Sequence, residues 1–438
     1  MRGTLIEPGN RSYENARSVW NGMIDRRPAA IARCKGAADV ISSVNFARDN
    51  NLRISVRGGG HHVAGHAVCD DGLMIDFSRM DDVRVDPKNK TAQVGPGASV
   101  RDLDYETQAF GLVTTGAPVS TVGIAGYTLG GGLGWTSRTH GLACDNLLSA
   151  DVVTAKGELV HASEDENSDL FWAIRGGSGN FGVVTSFEFQ LHEMGPEVLA
   201  GPVVHPIEAA PDLLRFWRDY MLEAPDELQC MPVIFNTPEG DTVFALFPLY
   251  AGNPAEGESV IKPFREIGNP LSDGVEVTSY ADLLSELDEM YRAGDRLYYR
   301  SAFFDTFPDE AIDAFVEKAA PVPSPFSSIF LEPMGGAIAR KDPDATAFPH
   351  RERNFCITAV PKWVEETRDA EMKAWADELF DALEPYAADG VYVNYLDEVG
   401  DEPARDAYGQ HWNRLAELKK KWDPENLFRM NHNIPPAG

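Results

Sequence analysis

The chain has little from which to build a disulfide framework, a membrane span or a basic surface. Its 438 residues hold five cysteines. Cys34, Cys69, Cys144, Cys230 and Cys356 are odd in number, widely scattered and without a CxxC pair, a pattern that argues against disulfide staples and fits a reducing compartment. No uncharged apolar run is long enough to cross a bilayer. The opening residues, Met1 to Pro8, lack an apolar core of signal-peptide length. The expectation is a soluble, cytoplasmic protein with no membrane partner. Basic residues are scarce: 39 Lys and Arg stand against 68 Asp and Glu, a net charge of −29. Phosphate backbones would be repelled, which argues against nucleic acid as a partner. Neither a Gly-x-Ser-x-Gly elbow nor a Walker loop is present, so serine-hydrolase and P-loop chemistry have no motif to rest on.

The acids are spread along the chain and not gathered in a tail, and arginine outnumbers lysine by roughly two to one. Two readings compete: an acidic face for a basic partner, or a protein built for high salt, where screening removes self-repulsion. Dispersed charge favours the second, a halophilic habitat, which says nothing about chemistry.

The length allows two domains, or one large domain with an insertion. Residues 1–195 are rich in glycine and short strands, expected at Ala30–Arg33, Arg53–Val56, Leu73–Asp76, Ala92–Val94, Leu148–Thr154, Leu159–Ala162 and Val183–Gln190. Helices are expected at Ala37–Asn50, Val100–Phe110 and Asn167–Ile174. From about Leu199 the pattern shifts to longer alternating strands, such as Leu228–Phe235, Thr242–Tyr250, Phe326–Glu332 and Val391–Tyr395, interleaved with amphipathic helices. This reads as a second α+β domain on an antiparallel sheet, over residues 196–400. The tail, 401–438, carries a helix at Ala407–Lys421 and then the turn Asp423-Pro424-Glu425-Asn426.

The most informative stretch is Val56-Arg57-Gly58-Gly59-Gly60-His61, a strand ending in three glycines and a histidine. Glycines without Cβ allow a tight turn and a close backbone approach to a ligand. Successive N–H groups of that kind form a nest for an anion such as a diphosphate. The competing reading is a Gly-rich turn that merely exposes His61 and His62. Gly177-Ser178-Gly179-Asn180-Phe181-Gly182 matches G-x-G-x-x-G, but a helix precedes it and the strand from Val183 follows. That order is the reverse of a Rossmann site. Gly130-Gly131-Gly132-Leu133-Gly134 lies in Thr114–Gly141, a long segment poor in helix or strand signal. It reads as functional or as a mobile loop, and its apolar side chains favour a buried course. His61, His62, His66 and Cys69 have the types of a zinc site. No second ligand pair follows them, so no metal is expected and His66 and Cys69 read as packed or surface residues.

Read together, these segments resemble the berberine-bridge-enzyme-like branch of the vanillyl-alcohol-oxidase flavoprotein family. The motifs fall in order: Arg57 to His61, Ser120 to Gly126, Leu129 to Gly134, His140 to Asn146, Phe171 to Thr185, and Asp423 to Pro435. The resemblance implies a PCMH-type FAD-binding domain of two α+β subdomains (1–195), an inserted α+β substrate domain with an antiparallel sheet, and a tail that returns to the FAD domain. Arg57, Gly58, Gly59, Gly60 and His62 would hold the FAD diphosphate, and His61 would link to the flavin 8α carbon. Val122, Gly123, Gly126, Gly131, Gly132, Gly179, Asn180, Gly182 and Val183 would line the cofactor, with Asn431 and Asn433 below it. Where many relatives carry a second, cysteine link, this chain has Val119, so a single covalent bond is expected. Val122, at the flavin C4a face, implies room for dioxygen.

The chemistry implied is hydride transfer from an alcohol-type carbon of a sugar or secondary metabolite, with a base taking the hydroxyl proton. Dioxygen would then reoxidise the flavin. The resemblance puts the base at Tyr408, with a packed interface residue as the competing reading. Tyr392, Asn394, Tyr395, His350 and Arg351 are looser pocket candidates, and strand alternation would keep Tyr392, Asn394 and Tyr395 from lining it together. The alternatives are a dehydrogenase with another acceptor, an inactive flavin-binding scaffold, and a zinc hydrolase built on the histidines.

Overall fold

The glycine-rich half folds around two small sheets. In the first, the strand Thr4–Ile6 pairs antiparallel with Ala30–Arg33, which runs parallel to Leu73–Asp76, and that strand is parallel to Ile54–Arg57. The helix Ala37–Asp49 covers it, with Val40, Val44 and Ala47 packed on Ile54, Leu73 and Ile75. The second sheet is antiparallel, ordered Val83–Asp86, Thr91–Val94, Val183–Gln190, Leu147–Val153 and Leu159–Ser163. Seven of these strands agree with the alternation in the sequence to within a residue or two, while Thr4–Ile6 and Val83–Asp86 are not expected from it. The computed structural model describes residues 1–438, apart from the side chains of Leu287 and Glu289. Among the described residues no helix is long and apolar enough to cross a membrane.

The other half is a nine-stranded sheet whose pairs are antiparallel, built from strands between Glu197 and Val360. Alternation sorts its side chains. In Leu228–Asn236, Cys230 and Ile234 face a core filled by the helices Ala210–Glu223, Asp309–Ala319 and Asp369–Leu383. Met231, Val233 and Phe235 face the opposite way and roof a cavity over the glycine-rich half. The chain is thus α+β throughout, with its site between the two halves.

Buried polar groups tie the halves together. Arg138 donates to the carbonyls of Leu228 (3.0 Å), Met334 (2.6 Å) and Ala224 (3.1 Å). Arg351, with no exposed side-chain surface, pairs with Asp145 at 2.6 Å. The tail is locked by Lys419, whose ammonium donates to Asn180 O, Asp423 Oδ2 and Phe428 O at 2.7–2.8 Å in a fully buried setting. With all three donors satisfied, a buried ammonium is tolerable.

Three expectations need correction. The tail helix is two helices, Asp401–Tyr408 and Trp412–Trp422, because Gly409 adopts a positive φ of +47° and a 3-10 turn intervenes. Val391–Tyr395 is not a strand: Val393–Tyr395 forms a 3-10 turn in which the Tyr395 N–H donates to Tyr392 O at 2.9 Å. The Thr114–Gly141 segment contains two short helices, Ile124–Leu129 and Ser137–His140, and most of it is buried.

Candidate active site

A cavity of ≈ 600 Å³ lies between the glycine loops, the roofing sheet and the tail. At one end Gly58, Gly59, Gly60, His61 and His62 form a lip, joined by Val122, Gly123, Gly126, Gly179, Gly182, Val183 and Asn431. The triglycine is required here by close approach. A Cβ on Gly59 would lie 2.5 Å from Gly123 N, and one on Gly58 would lie 2.8 Å from Pro96 O. Gly60 also has φ +72°. Within the described residues the N–H groups of Gly59, Gly60, His61 and His62 find no acceptor. Unpaired backbone donors curving around an open space are the donor set an anionic diphosphate satisfies. The buried, unpartnered Oδ1 of Asn431 faces the same cavity.

His61 stacks on Trp20, with centroids 4.8 Å apart and planes 20° from parallel. Burial pushes its pKa down to about 4, so the imidazole is neutral near pH 7 and keeps a lone pair for bond formation. Val119 and Val122 line the cavity nearby.

The rest of the cavity is walled mainly by apolar and aromatic side chains, among them Met231, Phe247, Phe330 and Tyr299. Tyr395 lines it too, and Glu332 backs that phenol from behind the lining. Tyr395 Oη donates to Glu332 Oε1 at 3.3 Å, while Glu332 Oε2 has no partner. Glu332 sits on the strand Ser328–Pro333, two residues beyond Phe330 and on the same face, and is 0 % exposed. Burial raises its carboxyl to about 8, with only the Tyr395 hydrogen bond pulling the other way. Burial raises the Tyr395 phenol as well.

The 3-10 turn brings Tyr392, Asn394 and Tyr395 to the cavity together, where a strand would have split them between faces. Tyr392 is the anchor: its oxygen accepts from Gly132 N (2.9 Å), Leu133 N (3.1 Å) and Asn394 Nδ2 (2.9 Å). Gly132 therefore serves the site by fixing this turn, and Gly131 packs against Phe348.

Several other expected residues lie behind the cavity. Arg57 pairs with Asp76 at 3.0 Å and braces the glycine bend from outside. Asn180 is structural, donating to Gly177 O, Tyr408 Oη and His432 O and accepting from Ile434 N. Asn433 is not among the lining residues. His350 donates to Ala407 O, and Arg351 is spent on Asp145. Tyr408 is 0 % exposed and outside the lining; its hydroxyl donates to His432 O at 3.1 Å and accepts from Asn180. The tail helix turns this phenol into the interior, so it does not reach a substrate. Sequence reading missed Glu332; the signal available was a lone acid in an otherwise apolar strand. It also missed Trp20 and His432.

A cavity lined both by unpaired backbone donors for an anion and by a phenol hydrogen-bonded to a buried carboxyl suits a phosphate-bearing cofactor facing a small substrate. Comparison with known proteins agrees. The profile of an FAD binding domain matches residues 28–163, and that of berberine and berberine-like proteins matches 391–435. The chain is 33% identical to (R)-6-hydroxynicotine oxidase of Paenarthrobacter nicotinovorans, over 100% of this chain and 98% of that protein. It is 28% identical to a xylooligosaccharide oxidase of Thermothelomyces thermophilus, over 96% of this chain and 90% of that one. The crystal structure of 6-hydroxy-D-nicotine oxidase from Arthrobacter nicotinovorans superposes with a TM-score of 0.91 at 30% identity, covering 100% and 98% of the two chains. This chain belongs to the berberine-bridge-enzyme-like FAD-linked oxidoreductases of the vanillyl-alcohol-oxidase family, whose FAD-binding domain is of the PCMH type. FAD is its cofactor, and the glycine nest, the unpartnered Asn431 and the neutral His61 fit that group.

Proposed function

We propose that the protein is an oxidase that removes hydride from an alcohol-type carbon, with Tyr395 and Glu332 as its proton-accepting pair and His61 as its one covalent tie to the flavin. The buried hydrogen bond from the cavity-lining Tyr395 to Glu332 behind it carries this reading. Bound FAD would supply the hydride acceptor and the electron route to dioxygen. The residues supply the rest. As the substrate C–H bond breaks, the hydroxyl proton moves to Tyr395 Oη and the Tyr395 proton moves to Glu332 Oε1, leaving a carbonyl product and a neutral acid. Burial keeps the Tyr395 phenol protonated, so it can accept a proton only as it passes its own to Glu332. Glu332, near 8, is the group that ends with the proton.

Val119 supports a single link, since it cannot form a thioether. Val122 supports dioxygen as acceptor, because its side chain is smaller than leucine. A dehydrogenase with another acceptor would be reduced by substrate but reoxidise slowly in air. An inactive scaffold would be bleached by nothing. The apolar walls favour a compact donor over an oligosaccharide, whose hydroxyls would lose their water without replacement partners. A buried carboxyl among aromatic rings also fits a protonated amine, which makes amine oxidation the second reading. Anaerobic mixing with panels of small alcohols, sugars and amines, read as loss of flavin colour, separates these outcomes. Five buried, unpaired cysteines and the dispersed acids support a reducing, salt-rich cytoplasm.

A further inference from the structure

His62, His66 and His432 form a cluster on the cavity wall whose ring nitrogens the proton-accepting pair does not use. One ring nitrogen from each lies within 4.8 Å of the others. The rings meet at centroid separations of 4.9, 5.1 and 4.6 Å. The turn His62-Val63-Ala64-Gly65-His66 creates the first pair. The Gly65 N–H donates to His62 O at 3.0 Å, and Gly65 takes φ +67°, where a Cβ would strike Ile24 at 2.6 Å. Arg26 holds this turn from behind, donating to the carbonyls of Gly65, Val68 and Ala64. The tail delivers His432.

Hydrogen bonding fixes what each ring can offer. His432 Nε2–H donates to Leu396 O at 3.0 Å, leaving its buried Nδ1 as a bare lone pair without a partner. His62 Nε2–H donates to Val393 O at 3.1 Å, and its Nδ1 accepts only a long contact of 3.2 Å from Ala64 N. His66 Nε2 is buried and unpartnered. Metal-bound histidines show this arrangement: one nitrogen on the ion, the other donating to a backbone carbonyl that sets the ring and its tautomer. His432 is 3 % exposed, so little solvent competes for that lone pair.

We propose that His62 Nδ1, His66 Nε2 and His432 Nδ1 bind one divalent transition-metal ion, of the zinc or copper class, beside the turn that bears Tyr392 and Tyr395. Three atoms no more than 4.8 Å apart share a centre at most about 2.8 Å from each. Ring movements of ~0.7 Å then reach the zinc–imidazole distance of about 2.1 Å. Three imidazoles without thiolate or carboxylate suit zinc, copper or nickel over magnesium or calcium. All three residues line the cavity, so a fourth position stays open to water or ligand. The carbonyls that orient His62 and His432 belong to Val393 and Leu396, on the turn that bears Tyr392 and Tyr395. The ion would clamp that turn to the glycine loop and the tail.

The test uses untagged holoprotein, stripped with a chelator and titrated with Zn²⁺ or Cu²⁺. The expected result is one equivalent per chain, with a Cu²⁺ electron-spin-resonance spectrum split by imidazole nitrogens. His66→Leu and His432→Leu should each weaken binding by at least about tenfold. His161→Ala, at an exposed histidine, should leave binding unchanged. Flavin absorbance and melting temperature serve as folding controls. If the variants fail to fold, the wild-type spectrum still decides: copper without coupled nitrogens, or no stoichiometric uptake, overturns the site. So does equal binding by folded variants, and so does a flavin spectrum shifted by both substitutions with no metal taken up, which would give those nitrogens to the cofactor. None of these readouts depends on turnover, so they fail or succeed independently of the oxidase reading.

Discussion

Glu332→Gln replaces the group on which proton transfer rests while keeping its shape. The wild-type carboxyl is fully buried, held near 8 by desolvation and linked to Tyr395 at 3.3 Å. Removing a positioned proton acceptor typically costs about 10²–10⁴-fold, and the rate of anaerobic flavin reduction should fall by that much with its absorbance unchanged. The pH dependence is the sharper readout. With a pKa of about 8, roughly one molecule in ten is ionised at pH 7 and nine in ten at pH 9, so wild-type reduction should rise about tenfold across that interval. The Gln variant should be flat. Stability changes in the opposite sense. A carboxyl raised from 4.5 to about 8 by folding favours the native state fully below 4.5, and that advantage is lost as pH rises through 8. At 1.36 kcal/mol per unit the loss reaches at most ~5 kcal/mol. The variant should therefore melt progressively above the wild type between pH 5 and 8, as followed by calorimetry (pH range set by the same shift). A Gln variant that keeps both the rising limb and the wild-type rate would refute the proton-acceptor role.

Three further outcomes follow from the same geometry. Tyr408→Phe removes a hydroxyl that joins Asn180 to His432 O; melting should show a loss of about 1–3 kcal/mol, while stopped-flow reduction stays within a few-fold of wild type. A fall by orders of magnitude would return Tyr408 to the catalytic role. Lys419→Met leaves Asp423 buried without its cation, and denaturant unfolding should report a loss of about 3–5 kcal/mol; no loss would mean the tail is held elsewhere. Val122→Leu should slow reoxidation by dioxygen and spare anaerobic reduction, and equal reoxidation rates would exclude a gate at that wall.

What was legible in the sequence is what is local. Alternation located Ala30–Arg33, Leu73–Asp76 and Val183–Gln190 at their observed bounds, and three successive glycines before His61 marked the nest. The triglycine was read for ligand approach, but the structure adds a second cause, the crossing of Gly59 over Gly123, which no local pattern contains. The pairing of Tyr395 with Glu332 was hidden because it joins a strand to a 3-10 turn 63 residues away. Alternation assumed for Val391–Tyr395 even pointed against it, splitting side chains that the turn gathers. The periodicity around Tyr408 showed that one helix face is buried, and burial was not the same as access to substrate. His432 gave no sign of meeting His62 and His66, since only the folded tail brings it there.

The most direct measurement is the mass of the tryptic peptide Gly58–Arg79 from the native holoprotein. A neutral imidazole at the lip of the nest predicts a peptide heavier than its amino acids by one flavin, with fragmentation placing the addition on His61. A peptide of unmodified mass, with any yellow colour released by acid, would contradict the account at its root.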